Sequence, residues 1–381
     1  MKHARATLAV ILAFSILAMS GCTGGKDSSQ GPMTAAETAE RARKGDAEAQ
    51  CALGVRLLGE GRYEEAFKWL SSAAEKGHPE ATANLGICFM YGYGADISEE
   101  KAVKCYRKAA MGGSGTGRYA LGVSYCLGKG VKRSPREGIM WLKKAAESDG
   151  DPDTFLMIAD QYRELKEPRQ WFEWTLKAAE KGRGEAWLPV ATALLRGDGT
   201  KKDPVKAERW LRKAAENGDA EAQQMLGDLL YKGLAGRMSR EEAFKWFEKA
   251  ALQGNPEGEA KLAFCYFRGD GVDRNTREST KWFKKAAEDG NIPAAFEYGM
   301  CLYNGEDTPK DYDGAFKWLK RAADGGYGRG YLGMSMCYWK GNGAPKDTNR
   351  AIELAEKADR AGAAEAKEML RHIRNDAKRG R

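Results

Sequence analysis

Histidine and the short motifs of common catalytic or metal sites are what this chain has least of. It contains 3 histidines in 381 residues. Two of them, His78 and His372, lie outside the N-terminal segment, and we expect both to be exposed. No Cys-x-x-Cys pair, His-Glu-x-x-His word, EF-hand loop, P-loop or Gly-x-Ser-x-Gly elbow occurs in the sequence. The sequence therefore predicts no metal ion, no cofactor and no catalytic residue, and a protein that is not an enzyme.

Proline is also scarce, and neither sign of charge is in strong excess. There are 11 prolines against 46 glycines, and the formal net charge is +8 in a chain with 30% charged residues. The basic residues are spread out and form no basic run interleaved with aromatic side chains, so no nucleic-acid partner is predicted. With 42% hydrophobic residues, the chain can bury a core, and its length predicts several domains or a repeat array.

Long apolar runs are limited to one near the N-terminus, from Ala6 to Met19, which follows the basic residues Lys2 and Arg5. This run of about 14 residues is shorter than the roughly 20 needed to span a bilayer as a helix. Residues 1–21 are therefore predicted to be a secretory signal. The small residues before a single cysteine resemble the bacterial lipobox, although Met19 departs from the usual leucine.

The lipobox resemblance implies that Cys22 becomes the lipidated first residue of an exported protein. Thr23 stands where lipoproteins of the inner membrane carry aspartate, which implies an outer-membrane lipoprotein that faces the periplasm. The alternative is an ordinary cleaved signal followed by a chance cysteine. Residues 22–33 are polar and rich in glycine and serine, as a flexible tether is. The expected membrane contact is this lipid anchor alone.

Alanine pairs recur through most of the chain. Their first members are 36 residues apart, with one interval of 33 and a degenerate last copy: Ala73, Ala109, Ala145, Ala178, Ala214, Ala250, Ala286, Ala322 and Ala358. Four residues before these alanines, seven of the nine positions hold tryptophan. A fixed period of this length is typical of stacked repeats. The pattern suits a helix that packs closely through its small face while the ring fills the space beside it.

Each repeat predicts two helices, here named A and B. The alanine pairs lie on helix B, and helix A carries apolar positions three and four apart, as in Leu85-Gly86-Ile87-Cys88-Phe89. Gly-x-Gly loops such as Gly269-Asp270-Gly271 join them, and a glycine there ends helix A in a left-handed conformation. Ser239 followed by Glu242 is typical of the start of helix B. The expected fold class is all-α.

These recurring motifs resemble the Sel1-like repeat, a relative of the tetratricopeptide repeat, over residues 45–362. The resemblance implies a right-handed α/α superhelix, or solenoid, that binds proteins or peptides on a concave surface lined by the A helices. Such proteins are often exported or lipid-anchored scaffolds. The nine expected repeats are 45–77, 78–113, 114–150, 151–182, 183–218, 219–254, 255–290, 291–326 and 327–362.

The ends and two atypical repeats also carry predictions. Residues 34–44 and 363–381 are expected to form terminal capping helices, the second with a basic tail, because the end units of such arrays need a polar outer face. The first and fourth repeats have short loops between helices A and B. We expect the fourth, 151–182, to divide the array into an N-terminal arc of three repeats and a C-terminal arc of five.

Eight cysteines in an exported chain raise the question of disulfides. Cys88, Cys265, Cys301 and Cys337 occupy one recurring position of helix A. Equivalent positions in neighbouring repeats are at least a helix packing distance of roughly 8–10 Å apart, beyond the about 7 Å that a disulfide spans between Cα atoms. We therefore predict that these four are small core residues. Cys105 stands in a tryptophan position, and both a bridge to Cys88 or Cys126 and a free thiol stay open.

An aromatic ladder marks the C-terminal A helices. Tyr231, Phe267, Tyr303 and Trp339 follow one another at 36-residue spacing, and the neighbouring positions add Phe264, Phe296, Met300 and Met336. Rigid aromatic rings and adaptable methionines dominate binding surfaces, so these eight residues are predicted to contact a partner. The alternative interpretation is that the rings pack between neighbouring A helices.

The predicted function is that of a non-catalytic scaffold, tethered to the bacterial envelope, that binds a protein or peptide along its concave face. The alternative is a factor for cell-wall or exopolysaccharide assembly or secretion, which binds the polymer or its machinery. A hydrolase is the third hypothesis, and it has the least support, because no pair of acidic residues is placed for acid–base chemistry.

Overall fold

The computed structural model describes residues 34–379. The predicted signal peptide, Cys22 and the tether of residues 22–33 lie outside the described residues. Within the described range the chain forms 20 α-helices and one short 3-10 helix, with no β-strand. The all-α array of stacked helix pairs that the sequence predicts is confirmed, because nine A–B pairs follow one another between two single terminal helices.

Two compact units divide the chain between Lys201 and Lys202. We name residues up to Lys201 unit 1 and residues from Lys202 onward unit 2. The helices of unit 1 are α1 Ala35–Arg43, α2 Ala47–Gly59, α3 Tyr63–Glu75, α4 Pro79–Tyr91, α5 Glu99–Met111, α6 Gly115–Leu127, α7 Pro135–Asp149, α8 Pro152–Glu164, α9 Pro168–Glu180 and α10 Trp187–Arg196.

Unit 2 contains the remaining ten helices. They are α11 Pro204–Glu216, α12 Ala220–Lys232, α13 Arg240–Leu252, α14 Pro256–Arg268, α15 Thr276–Glu288, α16 Ile292–Asn304, α17 Tyr312–Asp324, α18 Gly328–Lys340, α19 Thr348–Arg360 and α20 Ala366–Arg379. Even numbers from α2 to α18 are A helices, and odd numbers from α3 to α19 are B helices.

The division between the units is not where the sequence placed it. The fourth repeat has the short loop that was expected, since only residues 165–167 join α8 to α9. The division falls one helix later, in the loop between α10 and α11. Helix α10 is itself atypical, because a 3-10 turn, Gly184–Ala186, replaces its first turn and Pro189 follows at once.

Helices A and B pack through small residues, as the alanine pairs predict. Ala250 and Ala251 of α13 have no exposed surface. A Cβ atom added to Gly258 at the start of α14 would lie 2.7 Å from the Cβ of Ala250, so the next A helix rests directly on the pair. Trp246, one turn earlier on α13, is 7% exposed and fills the adjacent space. The recurring strip is therefore a packing surface.

The second glycine of the A–B loop has a role that the sequence did not indicate. Gly271 has a φ of +75°, and a Cβ atom on it would lie 2.2 Å from the carbonyl oxygen of Arg240, the first residue of the preceding B helix. The same close approach recurs in four other loops, at 2.1–2.4 Å: Gly94, Gly130, Gly199 and Gly343. Each of these glycines holds its loop against the helix pair before it. Both conditions, a positive φ and no room for a Cβ, require glycine.

The cysteines contribute to the core. Cys88, Cys265, Cys301 and Cys337 are buried free thiols, and the predicted core role of these four is confirmed. Burial raises the pKa of the Cys88 thiol to about 12, so the thiol is not poised for reaction. Cys105 is a free thiol as well, and it is half-buried.

Candidate functional site

The aromatic ladder of unit 2 lies in the last turns of four successive A helices, α12, α14, α16 and α18. Phe267 is 38% exposed, whereas Tyr231, Tyr303 and Trp339 are half-buried. The Tyr231 hydroxyl donates a hydrogen bond to Asp270 Oδ2 at 2.6 Å. Two repeats further on, the Asn342 amide donates a hydrogen bond to the Tyr303 hydroxyl at 2.9 Å. The two tyrosines therefore bind the loop of the following repeat and also keep part of their surface exposed.

A second row of the ladder is half-buried, with one exception. Phe264, Met300 and Met336 retain partial exposure. Phe296 is 5% exposed and belongs to the core. Its ring meets the ring of Tyr327 edge to face at a centroid distance of 5.8 Å, and the Arg329 guanidinium covers it at 4.6 Å. The prediction that Phe296 contacts a partner is wrong, because its ring packs between neighbouring helix pairs.

A cleft opens between two adjacent A helices, α12 and α14, beside the exposed part of the ladder. Its volume is about 210 Å³. The apolar surfaces come from Phe247 and Cys265 below and from Tyr231 and Phe264 at the sides. The remaining lining residues are charged: Asp228, Lys232, Lys261, Arg268 and Asp270. Two ladder residues thus meet in one concave site, which we name the α12–α14 cleft.

The acidic groups of the α12–α14 cleft already have cationic or hydroxyl partners. Asp270 is 6% exposed and accepts hydrogen bonds from Tyr231 and from Arg240 Nη1 at 2.6 Å. This bond to a carboxylate raises the pKa of Tyr231. Asp228 lies 3.5 Å from Lys261 Nζ. Burial lowers the pKa of Lys261, but Asp228 and Glu257 outweigh that effect and hold it above its ordinary value.

Two cations of the α12–α14 cleft, Lys232 and Arg268, have no carboxylate partner at ion-pair distance, although Arg268 interacts with the Tyr231 hydroxyl and opposes the effect of Asp270 on the pKa of that tyrosine. No carboxylate lies within 4 Å of Lys232 or Arg268 among the ion pairs of the described residues. The Arg268 guanidinium stands 5.4 Å from the centroid of the Phe264 ring. Burial raises the pKa of Cys265 to about 12, so the thiol at the base of the cleft acts as an apolar surface. The cleft is apolar inside and positive at its mouth.

Sequence reasoning missed the charged members of this cleft, although a signal was present. Asp228 stands 36 residues before Phe264, in a position where the later repeats carry Met300 and Met336. A charged residue at a position that is apolar in the later repeats indicates that this repeat differs from them. It was not singled out from the sequence, because acidic residues on helices were all expected to lie on solvated faces.

A wider and more open cleft occurs in unit 1, between α7, α8 and α9. Its volume is about 730 Å³, and Phe155, Trp174, Lys143, Lys177 and Lys181 line it together with two glutamates. Lys177 Nζ lies 3.9 Å and Lys143 Nζ lies 5.5 Å from the centroid of the Trp174 ring.

Shielding of tryptophan by a cation is a general feature of the B helices. In six repeats the cation three residues after the tryptophan covers its ring at 3.9–5.3 Å: Lys144, Lys177, Lys213, Lys249, Lys285 and Arg321. Cations also stand over rings of the ladder, Arg274 over Phe267 at 5.7 Å and Lys340 over Trp339 at 3.6 Å, so this contact does not distinguish the two sets of rings.

Histidine has a structural use in this chain. His372 is exposed, as expected, but the prediction that His78 is exposed is wrong, because its side chain is 15% exposed. His78 Nδ1 accepts a hydrogen bond from the Ala81 amide and so caps α4, while Nε2 lies 2.8 Å from Glu48. The Gly-His-Pro turn is therefore a helix start.

Neither a metal cluster nor a membrane span is found in the described part of the chain. Across residues 34–379 no group of three or more histidine, cysteine, aspartate or glutamate side chains could hold a metal ion. None of the helices in that range is long and apolar enough to cross a membrane.

Comparison with known proteins connects this architecture to one family. The Sel1 repeat model matches eight segments, residues 47–78, 79–114, 116–150, 190–219, 220–255, 256–291, 292–327 and 329–362. The matches leave out the α8–α9 pair, whose loop is short. A protective antigen of uropathogenic Escherichia coli strains, which displays an SLR fold, is 27% identical with a TM-score of 0.65, covering 90% of this chain and 82% of that one.

Two curated relatives match parts of the chain. Chitin synthase regulatory factor 3 of Schizosaccharomyces pombe is 28% identical over 179 residues, covering 35% of this chain and 19% of that protein. A protein of Neisseria meningitidis serogroup B, described as uncharacterized, is 28% identical over 156 residues, covering 41% of this chain and 32% of that protein. The chain thus spans about a fifth and about a third of the lengths of these relatives.

Proposed function

Because this chain belongs to the Sel1 repeat family, we propose that it is a non-catalytic scaffold that binds a protein or peptide along the A-helix face of unit 2. The Sel1 and tetratricopeptide-like fold is commonly a protein-interaction scaffold. The observation that carries the proposal is the α12–α14 cleft, where Tyr231 and Phe264 of the ladder form an apolar site beside the exposed Phe267. Concave sites that combine apolar walls with a few charges are the usual form of a recognition surface.

Cross-linking from single positions is the direct test of this binding face. With the photo-reactive residue benzoylphenylalanine in place of Phe267, irradiated cells should yield one reproducible protein adduct that mass spectrometry identifies. The same residue in place of Leu252 is the matched control, since Leu252 is 71% exposed but belongs to the B helix α13. Equal adducts from both positions, or an adduct from position 252 alone, would contradict the proposed face.

The proposal also places this scaffold at the outer membrane, facing the periplasm, through a lipid on Cys22. Support comes from the short apolar run that ends before Gly21-Cys22 and from the polar residues that follow. We expect metabolically supplied radiolabelled palmitate to label the protein, and Cys22→Ser to abolish the label and release the chain from the membrane fraction. An unlabelled wild-type protein would point to the ordinary cleaved signal instead.

A second candidate is a factor for cell-wall or exopolysaccharide assembly. Two observations favour it: one relative is named a chitin synthase regulatory factor, and the open cleft of unit 1 places lysines around Trp174. The distinguishing experiment is to mix the purified chain with purified peptidoglycan or exopolysaccharide and no other protein. Binding that Trp174→Ala abolishes supports this candidate, whereas no binding leaves the protein-binding scaffold.

A further inference from the structure

We propose that the α12–α14 cleft takes one bulky apolar side chain of a partner segment in which that side chain stands next to aspartate or glutamate. The inference rests on the proposed scaffold function and names the chemistry that the binding face recognises. Three features of the cleft carry it: its size, its unbalanced charge and its rigid walls.

The size of the cleft fits one side chain rather than a small-molecule ligand. Its volume is about 210 Å³, below the roughly 300–1,000 Å³ of typical ligand pockets. Phe247, 1% exposed, and Cys265, also 1% exposed, form an apolar base, and Phe264 forms one wall. A buried apolar surface of this kind gains free energy from an apolar occupant and loses it from a polar one that leaves its hydrogen bonds unmade. The occupant is therefore a bulky apolar group such as Phe, Trp, Leu or Met.

The charge that remains for a partner is positive. Asp270 is satisfied by Tyr231 and Arg240, and Asp228 is paired with Lys261. Neither Lys232 nor Arg268 pairs with a carboxylate within 4 Å, and a guanidinium has five N–H donors, so Arg268 keeps donors available beside its contact with the Tyr231 hydroxyl. A guanidinium binds a carboxylate through two parallel hydrogen bonds. Both cations also lie in the last turns of α12 and α14, where they offset the helix dipoles. That role uses their charge but leaves their hydrogen-bond donors for a ligand.

The walls of the cleft are held in place before a partner arrives. The hydrogen bond to Asp270 fixes the Tyr231 ring, and Phe264 meets the ring of the buried Phe283 edge to face at 4.9 Å. Rigid aromatic walls lose little conformational entropy on binding. A basic segment is disfavoured at the same mouth, because it would meet Lys232 and Arg268, which no carboxylate of the cleft neutralises.

Selection from a phage-displayed library of random 12-residue peptides on the full chain tests this inference. The peptides are fused at their C-termini, so only side-chain carboxylates are offered. We expect enriched peptides to carry Phe, Trp, Leu or Met within two positions of Asp or Glu. Their binding should fall at least 10-fold on Lys232→Glu with Arg268→Glu and should weaken as salt is raised. Arg268→Gln, a milder change, should lower it less.

The matched control is Lys340→Glu, because Lys340 occupies the position of Lys232 and Arg268 in the A helix α18. It should leave binding of the enriched peptides unchanged, and circular dichroism should show that every variant is folded. Enrichment without acidic residues, no enrichment, or equal loss with Lys340→Glu would overturn the inference. If the enriched peptides blocked the adduct at position 267 but bound equally well to Arg268→Gln and to Lys232→Glu with Arg268→Glu, the assignment to the cleft would be wrong and the scaffold function would stand. If no cross-linked adduct formed from position 267 in cells, the proposed scaffold function would be wrong instead.

Discussion

Gly271→Ala is expected to lower the free energy of unfolding by about 2–5 kcal/mol. The left-handed backbone at φ +75° costs a non-glycine residue about 1–2 kcal/mol. The added Cβ atom would also lie 2.2 Å from the carbonyl oxygen of Arg240. Because that oxygen belongs to the backbone of α13, the clash is relieved only by moving a helix, and forced overpacking typically costs about 1–3 kcal/mol more. The shift in the urea midpoint of unfolding measures the loss.

The matched control for Gly271→Ala is Gly254→Ala. Gly254 has a φ of +76°, but no atom lies within 4 Å of the position of an added Cβ. Alanine there should cost only the backbone term, about 1–2 kcal/mol. The difference between the two variants isolates the contact that holds the loop on the preceding helix pair. Equal midpoint shifts would show that this contact does not stabilise the array.

The sequence predicts the repeat unit well because its signals are local. Alanine pairs, tryptophans and glycine loops each act within one or two helical turns, and the structure places them on the expected helices. The role of Gly271 was hidden, since a helix-ending glycine and a glycine pressed on a neighbouring repeat look the same in sequence. The division between the units falls in the loop after α10, one helix later than the short loop of the fourth repeat indicates.

The sequence predicts which A-helix positions carry the aromatic residues of the candidate site, but it does not predict which of those side chains are exposed. Phe267 and Phe296 are both aromatic residues of A helices, yet the first is 38% exposed and the second 5% exposed. Their difference arises from residues of other repeats, since Tyr327 and Arg329 cover Phe296 from the next helix pair. Exposure is thus set by contacts about 30 residues away, and no local pattern records them.

A buried glutamate in unit 2 leads to the second large expected effect. In α2 and α12, a glutamine side chain donates a 3.0 Å hydrogen bond to a carbonyl of the preceding B-type helix: Gln50 to Ala42, and Gln223 to Ala215. Glu259 stands in the same position of α14 with no exposed surface. An ionised carboxylate cannot donate to Ala251, and Lys285 instead donates both to that carbonyl, at 3.4 Å, and to Glu259 Oε1. The other oxygen, Oε2, is buried without a hydrogen-bond partner.

Burial raises the pKa of Glu259, and Lys285 opposes the increase. A carboxylate with a raised pKa in the folded state contributes stability when it is protonated. That contribution is lost as the pH rises from the ordinary value of 4.5 through the folded-state pKa. Removing Lys285 removes the opposing charge, so the folded-state pKa of Glu259 rises further. The loss of stability at pH values above that pKa therefore becomes larger.

Lys285→Met is therefore expected to lower the free energy of unfolding by about 2 kcal/mol at pH 8. Breaking a buried ion pair costs about 3–5 kcal/mol, and the smaller figure applies because the Lys285 side chain is 45% exposed and water replaces part of its effect. The loss should shrink as the pH falls toward 4.5, where Glu259 gains a proton that it can donate to Ala251. Urea unfolding of both proteins across this pH range measures the difference, and Glu259→Gln should rescue the variant at pH 8.

Lys249→Met is the matched control for this pH dependence. Lys249 occupies the same B-helix position one repeat earlier and covers Trp246 at 4.1 Å, as Lys285 covers Trp282 at 5.3 Å. Its repeat carries Gln223 where the next carries Glu259. Lys249→Met should thus cost only a cation–π contact, about 0.5–1 kcal/mol, at every pH. If Lys285→Met also lowered the free energy of unfolding equally at every pH, Lys285 would not stabilise the ionised form of Glu259. A glutamate in place of glutamine at this position would then cause no pH-dependent loss of stability.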